Sequence, residues 1–272
     1  MQHLIRPQLR HTVAYLAAIS VLFLSTLFLA SKTSASIPFP IGTPNTHQPS
    51  GMAPPSANSL PGYRLTYVNN FNVSGLPTGW IAFSGHPGGL PTASFSVRHV
   101  TVSGGLLQLK TYRDHAFNNK WTMGGLCQCG RSSLYGAFFA RSRITGPGAN
   151  NVELLWPDNN SWPPEIDFNE NMNHVALTTS STHWSASNKT DFATLRINML
   201  EWHTWGVVWT PARIVFIVDG QPWHEFAIAK DIPHLPMVLD FEQRAVCPSR
   251  WECPTSPSAL LIDWVAEYQM QH

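Results

Sequence analysis

The sequence predicts an all-β fold, a sandwich of two packed sheets. Segments in which apolar and polar residues alternate recur along residues 63–268, separated by clusters of Gly, Pro and Asn. The 3.6-residue periodicity of an amphipathic helix is not sustained anywhere in this region. Roughly a dozen strands in a region of this length favour two large sheets packed face to face.

Twelve strands are predicted from the alternation. A two-residue turn at Asp219-Gly220 is the strongest hairpin signal, because this dipeptide suits the positive φ angles of such turns. Trp202, Trp205, Trp209 and Trp223 are expected to fill the core. The predicted strands are 65–71, 94–102, 106–112, 135–143, 152–156, 165–170, 175–184, 204–210, 213–218, 223–227, 237–243 and 260–268.

Residues 1–36 are expected to lie outside the fold. They begin with Arg6, Arg10 and His11, continue with an apolar run over 13–30 and end in small polar residues. This order is typical of a secretory signal peptide. The run is also long enough for a membrane-spanning helix, so an uncleaved anchor remains open. Both interpretations predict a secreted or extracellular domain.

The next segment, 37–62, is predicted to be an extended linker. It contains seven Pro and few large apolar residues, a composition that favours an extended chain over a packed core. A single domain over 63–272 follows, and we expect it to be a monomer.

The charge of the chain excludes one class of partner. Lys and Arg number 17 against 16 Asp and Glu, and charged residues make up only 12% of the chain, against about 25% in an average protein. No stripe of Lys and Arg is present, so a nucleic-acid-binding protein is not expected.

Three acids lie within six residues at 165–170. Glu165 and Asp167 share one face of a strand, because alternate side chains point to the same side. Glu170 is an odd number of steps from Glu165 and would face away unless a β-bulge inserts one residue. With the bulge the outer Cα atoms lie about 13 Å apart. Their carboxyls could then converge to the roughly 5–5.5 Å separation of a retaining glycosidase.

This arrangement predicts a double-displacement mechanism. Glu165 attacks the anomeric carbon, Glu170 protonates the departing oxygen and then activates water, and Asp167 hydrogen-bonds to the nucleophile. Crowding of the carboxyls helps to keep Glu170 protonated. The spacing alone leaves two alternatives open, a calcium cluster and a solvated acidic strand face.

The segment E-I-D-F-N-E resembles the E-x-D-x-x-E signature of glycoside hydrolase family 16, whose members include laminarinase-like enzymes. Further segments also resemble the family in their chain order, so the resemblance covers about residues 65–268. They are YGAFFARSR at 135–143, LLWP at 154–157 followed by WP at 162–163, THW at 182–184, HTWGVVWTP at 203–211, IVFIVDG at 214–220 and IDWVAEY at 262–268.

The resemblance implies a jelly-roll β-sandwich of two curved antiparallel sheets, similar to concanavalin A. It also implies Glu165 as nucleophile, Asp167 as assisting acid and Glu170 as acid/base. The bulged spacing is similar to that of β-1,3-glucanases, agarases and carrageenases, and the low charge argues against a sulfated galactan. We therefore expect an endo-β-1,3-glucanase acting on a polysaccharide. A non-catalytic β-glucan-binding module and a transglycosylase remain alternatives.

Several side chains are candidates for substrate binding, because sugar rings stack on indoles and sugar hydroxyls need polar partners. For the Trp residues and His183 the alternative is core packing. The segment 240–244, which contains Glu242 and Gln243, departs from the more apolar strand usual in the family and bears on specificity. The candidates are Trp162, His183, Trp156, Trp121 and Gln243.

The four cysteines predict disulfides in an oxidising compartment. Cys247 and Cys253 bracket a short loop that a disulfide can close. Cys127 and Cys129 are too close in sequence for an easy bridge, so crossed pairing between the two pairs is equally open. Zinc is disfavoured, since the spacing matches no familiar zinc site.

No organic cofactor is expected. The resemblance implies a possible structural calcium ion on the convex face, with Asp263 of the last strand as a ligand. The alternative is a surface aspartate beside a core Trp.

Overall fold

The computed structural model describes residues 38–86, 94–245 and 253–271. The predicted leader lies outside these residues. In the described ranges no helix is both long and apolar enough to cross a membrane.

The described residues form nineteen strands and three short 3-10 helices. The strands are β1 (Thr43–Pro44), β2 (Met52–Ala53), β3 (Tyr63–Asn69), β4 (Ile81–Ala82), β5 (Ser94–Phe95), β6 (Val100–Ser103), β7 (Leu106–Asp114), β8 (Lys120–Met123), β9 (Gly125–Cys127), β10 (Gly136–Ile144), β11 (Asn150–Pro157), β12 (Glu165–Glu170), β13 (Leu177–His183), β14 (Thr190–Arg196), β15 (His203–Trp209), β16 (Ile214–Val218), β17 (Gln221–Phe226), β18 (Met237–Arg244) and β19 (Ser258–Met270). The helices are Val97–His99, His115–Phe117 and Ala229–Asp231.

Two large sheets confirm the predicted sandwich. The seven-stranded sheet has the order β14-β13-β12-β11-β18-β9-β4. The ten-stranded sheet has the order β17-β16-β15-β10-β19-β7-β8-β5, with β3 also paired to β19 and β6 to β7. Within both sheets the pairing is antiparallel except between β5 and β8. Strand β12, which carries the three acids, therefore lies well inside its sheet between β11 and β13.

The core lies between the sheets and explains the alternation of β12. Ile166 and Phe168 are fully buried in one apolar cluster with Trp205 and Trp209 of β15. The strand therefore turns its apolar side chains inward, and the acids fall on the outer face of the seven-stranded sheet. Trp205 and Trp209 are core residues, as predicted, and Trp223 packs partly buried against the same cluster. The prediction is wrong for Trp202, which is only partly buried with the Arg143 guanidinium over its ring at 5.4 Å.

The prediction of an extended linker over 37–62 is wrong for its described part. Strands β1 and β2 pair there as a short hairpin. Leu60 is buried with Trp264 and Tyr268 on the outer face of the ten-stranded sheet, and Trp264 Nε1 donates a hydrogen bond to the Met52 carbonyl at 3.0 Å. The segment cannot form a core of its own, but its few apolar residues cover an apolar sheet face that would otherwise be exposed.

The twelve predicted strands all fall on observed strands, with one interruption. The predicted strand 94–102 is divided into β5 and β6 by the helix Val97–His99, because the Ser96 hydroxyl accepts a hydrogen bond from the Arg98 amide and caps a turn there. The hairpin at Asp219-Gly220 is confirmed, with φ of 47° and 76° at its two residues. The strands not predicted are short or polar; β14, for example, lies at the sheet edge and buries none of its residues.

Candidate active site

The predicted bulge is present in β12. Between Asp167 and Glu170 the strand advances three residues while β13 advances two, from Ser181 to Thr179. On the other side, Asp167 pairs with Leu154 and Asn169 with Glu153, so Phe168 is the extra residue. The bulge returns Glu170 to the face that carries Glu165 and Asp167.

Glu165 receives donors at the start of β12. Trp162 Nε1 donates a hydrogen bond to Glu165 Oε2 at 2.8 Å, and His183 lies directly opposite Glu165 on β13. Burial and the nearby Asp167 charge raise the pKa of Glu165 to about 8, opposed by Arg244, His183 and the bond from Trp162. These three opposing groups all favour the carboxylate form that a nucleophile requires.

Asp167 joins the two strands at the centre of the site. It is almost fully buried, and Ser181 Oγ donates a hydrogen bond to its Oδ2 at 2.6 Å. The same oxygen lies 3.3 Å from His183 Nε2, while His183 Nδ1 faces the side-chain oxygen of Asn188 at 2.7 Å. Burial opposes a charge on His183, but Asp167 outweighs it and raises the pKa of His183 to about 9. Asp167 therefore favours the protonated form of His183.

Glu170 is held at the far end of the bulge. Asn150 Nδ2 donates a hydrogen bond to Glu170 Oε1 at 2.7 Å, and Thr179 Oγ1 donates to the Glu170 carbonyl at 3.0 Å. Burial, followed by the Asp167 charge, raises the pKa of Glu170 to about 7. Burial and the charge of Asp167 act on both outer acids, so Glu165 and Glu170 each hold a proton more readily than an ordinary glutamate.

The neighbouring strand β18 brings a second group of charges to the site. Strand β18 pairs with β11. Asp240 lies opposite Leu154, Glu242 lies opposite Val152, and Arg244 lies opposite Asn150. The Arg244 guanidinium contacts the Glu242 carboxylate. Although burial opposes its charge, the surrounding carboxylates raise the pKa of Arg244. Arg244 therefore supplies a fixed positive charge close to Glu165 and Glu170.

Two of the predicted substrate-binding tryptophans lie beside the acids. Trp162 is 41% exposed and its ring centre lies 6.1 Å from that of His183. Trp156 is on the same face of β11 as Leu154, with its Nε1 bonded to Asn160 at 2.9 Å. Trp162 and His183 thus lie beside Glu165, and the pairing of Leu155 with Ile166 places Trp156 on the neighbouring strand, where these side chains can contact a bound sugar.

Trp121 is a correction to the predicted substrate site. It lies on β8 in the other sheet, is only 8% exposed, and packs in a small apolar cluster with Phe95 and Met123. The Arg113 guanidinium covers its ring at 5.0 Å. The polar sequence around Trp121 suggested exposure, but packing beneath β8 removes the ring from water.

Gln243 is a second correction. Strand alternation places Gln243 with Phe241, which is in the core, and away from the face of Glu242. Its side chain is fully buried and has no hydrogen-bond partner among the described residues. Asp240, Glu242 and Arg244 share the opposite face of β18, which is the face toward the acids.

One group of described residues has the composition of a metal site. Ligand atoms of Glu165, Asp167 and His183 lie within 4.8 Å of one another. Both ring nitrogens of His183 already have polar partners, Nε2 with Asp167 and Ser181 and Nδ1 with Asn188 and Thr190. Hydrogen bonds account for these contacts, and calcium at this group stays an alternative prediction.

Asp263 is engaged through only one of its two carboxylate oxygens. Its Oδ2 accepts hydrogen bonds from the backbone N–H of Ser50, at 3.0 Å, and from the Ser50 hydroxyl. Arg141 Nε donates to the same hydroxyl at 2.9 Å, and its charge lies near Asp263. The other oxygen, Oδ1, is buried and has no hydrogen-bond partner among the described residues, so calcium binding at Asp263 stays a prediction.

The structure pairs Cys127 with Cys129, with their Cα atoms 5.0 Å apart. This pair was not expected from the sequence, since only one residue separates the two cysteines. The Cα distance nevertheless lies in the usual disulfide range. Cys247 lies outside the described residues, and Cys253 is disulfide-bonded.

Sequence reasoning missed three contributors to the site: Asn150, Ser181 and Arg244. Each reaches the acids from another strand, so the local sequence of β12 carries no signal for them. Strand register would have found them, because each lies on the same face as the acids once β11, β13 and β18 are aligned.

The chain resembles known proteins in sequence and in fold. The sequence model of the family described as "Glycosyl hydrolases family 16" matches residues 92–265. No curated protein matches the sequence significantly. Solved structures of similar fold confirm the jelly-roll sandwich.

Three similar structures are the catalytic domain of an endo-1,3-beta-glucanase (laminarinase) from Thermotoga petrophila, the laminarinase from Rhodothermus marinus, and a Bacteroides ovatus mixed-linkage glucan protein in complex with a G4G4G3G product. The Thermotoga domain has a TM-score of 0.67 and 17% identity over 77% of this chain and 99% of its own. The Rhodothermus laminarinase has a TM-score of 0.68 and 19% identity over 77% of this chain and 98% of its own. The Bacteroides protein has a TM-score of 0.62 and 18% identity over 74% of this chain and 99% of its own.

Proposed function

The chain belongs to glycosyl hydrolases family 16, and from this we propose that it is a retaining endo-glycosidase acting on β-1,3-glucan. The observation that carries the proposal is the bulge, which brings Glu165, Asp167 and Glu170 to one face of β12. The family makes the chain a glycosidase; the mechanism, the residue roles and the substrate are the proposal.

In the first step the Glu165 carboxylate attacks the anomeric carbon and the bond to the departing sugar oxygen breaks. The carboxyl of Glu170 gives its proton to that oxygen. In the second step Glu170 takes a proton from water, whose oxygen attacks the anomeric carbon and releases Glu165. The Trp162 indole orients Glu165 and the Asn150 amide orients Glu170, while Asp167 acts on both acids through its charge.

The substrate proposal is supported by the fold relatives and by charge. Relatives of similar fold include two laminarinases and a protein with a bound mixed-linkage glucan product. On the described part of the site the only cations are Arg244 and His183, and both are matched by carboxylates. Such a site suits a neutral glucan better than a sulfated galactan.

The location of the protein is proposed from sequence. The basic start, apolar run and small residues of 1–36 support secretion by a cleaved leader. Four cysteines in such a chain support disulfides, which we expect at Cys127–Cys129 in the oxidised protein. We propose that the secreted protein acts as a monomer.

The experiment is reducing-sugar release from laminarin, curdlan, barley mixed-linkage glucan, xyloglucan, agarose and carrageenan. The chain from residue 37 is compared with Glu165→Gln and Glu170→Gln, and circular dichroism verifies that each is folded. We expect activity on laminarin and curdlan that either substitution abolishes. Activity only on a galactan would overturn the substrate, and a folded but silent protein that still binds glucan would indicate a binding module. Products longer than the starting oligosaccharide would reveal transglycosylation.

A further inference from the structure

A buried polar network lies directly beneath the bulge, on the side of β12 opposite the acids. Four residues form it: Ser142, Glu153, Asn169 and Thr178, each with no exposed surface. They come from four different strands, β10, β11, β12 and β13. Polar groups are costly at such depth unless they are mutually satisfied, so the network needs an explanation.

Asn169 is the centre of the network. Its Nδ2 donates a hydrogen bond to Glu153 Oε1 at 2.8 Å, and its Oδ1 accepts one from Thr178 Oγ1 at 2.6 Å. The amide is therefore held from both neighbouring strands at once. Its donor and acceptor are each matched, which fixes the side chain in one orientation.

The network also crosses the sandwich. Ser142 is on β10, in the ten-stranded sheet, and its hydroxyl contacts the same Glu153 oxygen that binds Asn169. The bulge is thus tied to the opposing sheet through one carboxyl. An apolar residue at position 169 would remove these side-chain bonds and leave only the ladder pairing with Glu153 to hold the register next to the extra residue Phe168.

Asn169 immediately precedes Glu170, and its orientation decides where the strand leaves the bulge. Phe168 and Asn169 both point into the core, whereas a regular strand would turn one of them outward. The outward return of Glu170 depends on this double inward step. Holding Asn169 inward therefore holds Glu170 on the catalytic face.

We propose that Asn169, gripped by Glu153 and Thr178, is a positioning residue that fixes the bulge and so places the Glu170 carboxyl for proton transfer. The inference rests on the proposed function of Glu170 as acid/base. A displacement of about 1 Å in a catalytic group can cost up to about 100-fold in rate. Loss of one of the two hydrogen bonds to Asn169 is therefore expected to lower the turnover rate measurably.

Strand β13 offers a matched pair of variants. Thr178 and Thr182 lie on the same strand and the same face, and both are 0% exposed. Thr178 Oγ1 holds Asn169, whereas Thr182 Oγ1 has no hydrogen-bond partner among the described residues. Thr178→Val and Thr182→Val each remove one buried hydroxyl and keep the shape of the side chain. Thr178→Ser keeps the hydroxyl and serves as the rescue.

The first measurement separates proton transfer from general damage. Turnover of glucan needs the proton of Glu170, whereas the burst of dinitrophenolate from a dinitrophenyl β-glucoside oligomer does not, because that leaving group departs as a stable anion. We expect Thr178→Val to lower kcat on glucan about tenfold with a near-normal burst. Thr182→Val and Thr178→Ser should behave as wild type on both substrates.

Equal losses in Thr178→Val and Thr182→Val, or equal losses on glucan and in the burst, would overturn the inference. A second measurement, titration of the Glu170 carboxyl by carbon NMR, does not require activity. We expect its pKa to move in Thr178→Val and to stay in place in Thr182→Val; an unmoved value in both would also overturn the inference. An inactive wild-type protein would reject the proposed function alone, and this titration would still decide the role of Asn169.

Discussion

Asn150 donates a hydrogen bond to the Glu170 carboxyl from the first residue of the adjacent strand, at 2.7 Å. The same side chain accepts a bond from the Met172 amide at 2.8 Å, just beyond the end of β12. Asn150 is therefore oriented by the backbone that follows Glu170. It acts as a donor that favours the charged form of that carboxyl.

Asn150→Ala should raise the pKa of Glu170 further, because the bond from Asn150 now lowers it against the effect of burial. We expect the alkaline limb of the kcat/KM profile to move to higher pH and kcat on glucan to fall about tenfold. The matched control is Asn198→Ala, which removes a similar amide–Glu201 bond at an exposed site. A profile that does not move would show that Asn150 leaves the Glu170 proton unaffected.

Trp162 and Trp121 should respond oppositely to substitution. Trp162→Phe keeps an aromatic face but removes the donor to Glu165, so we expect kcat/KM on laminarin to fall about tenfold with an unchanged Tm. Trp121→Ala empties a packed cluster, so we expect destabilisation of about 3–5 kcal/mol and an unchanged KM in the protein that remains folded. Kinetics and thermal unfolding of both variants test this, and a raised KM in Trp121→Ala would restore it to the substrate site.

The parts of the site that could be predicted from the sequence are those whose residues lie close together along the chain. The acids lie within six residues, and alternation plus one inserted residue predicts their common face. Gln243 was assigned to the wrong face because its neighbour Glu242 is equally polar, and only the pairing of β18 with β11 decides which of the two points outward.

The fold was predictable where alternation was strong and not where packing came from elsewhere. Strand β12 was predicted with its observed bounds. Residues 38–62 were misjudged because their order depends on the outer face of a distant strand, and Leu60 gains its burial only from Trp264 and Tyr268. The composition of a segment shows whether it can form a core by itself. It does not show whether the segment can pack on an apolar face formed by other strands.

Deleting residues 37–62 should therefore destabilise the domain. Burial of one side chain such as Leu60 stabilises by about 1.5–3 kcal/mol, and the deletion also exposes Trp264, Tyr268 and the carboxylate of Asp263. We expect Tm to fall by about 5–10 °C relative to the chain from residue 37. Calorimetry of both proteins provides the measurement, and equal Tm values would support the original prediction of a linker.

Removal of divalent cations should leave the protein unchanged. Ser50 already donates to one oxygen of Asp263 beside the positive charge of Arg141, and Asp167 favours the protonated form of His183 in the cleft. We expect the same Tm and the same activity in excess EDTA and in millimolar calcium. A calcium-dependent rise in Tm that Asp263→Asn abolishes would establish the metal site that the family resemblance implied.

The buried Glu153 should make stability depend on pH. Burial raises the pKa of Glu153 to about 7, with bonds from Ser142 and Asn169 opposing the shift. Because the folded protein keeps this proton and the unfolded chain loses it near the ordinary Glu value of about 4.3, the contribution of Glu153 is fully present below that value. It is lost as the pH rises toward about 7.

Glu153→Gln is neutral at every pH and keeps an oxygen that can accept from Ser142 and Asn169. We therefore expect the free energy of unfolding of the variant, relative to wild type, to rise between pH 5 and pH 8. Each unit of pKa shift corresponds to about 1.4 kcal/mol, so the change should be on the order of 1–3 kcal/mol. Urea denaturation at both pH values measures it, with Glu201→Gln at an exposed site as control. A pH-independent difference would mean that Glu153 is ionised in the folded protein.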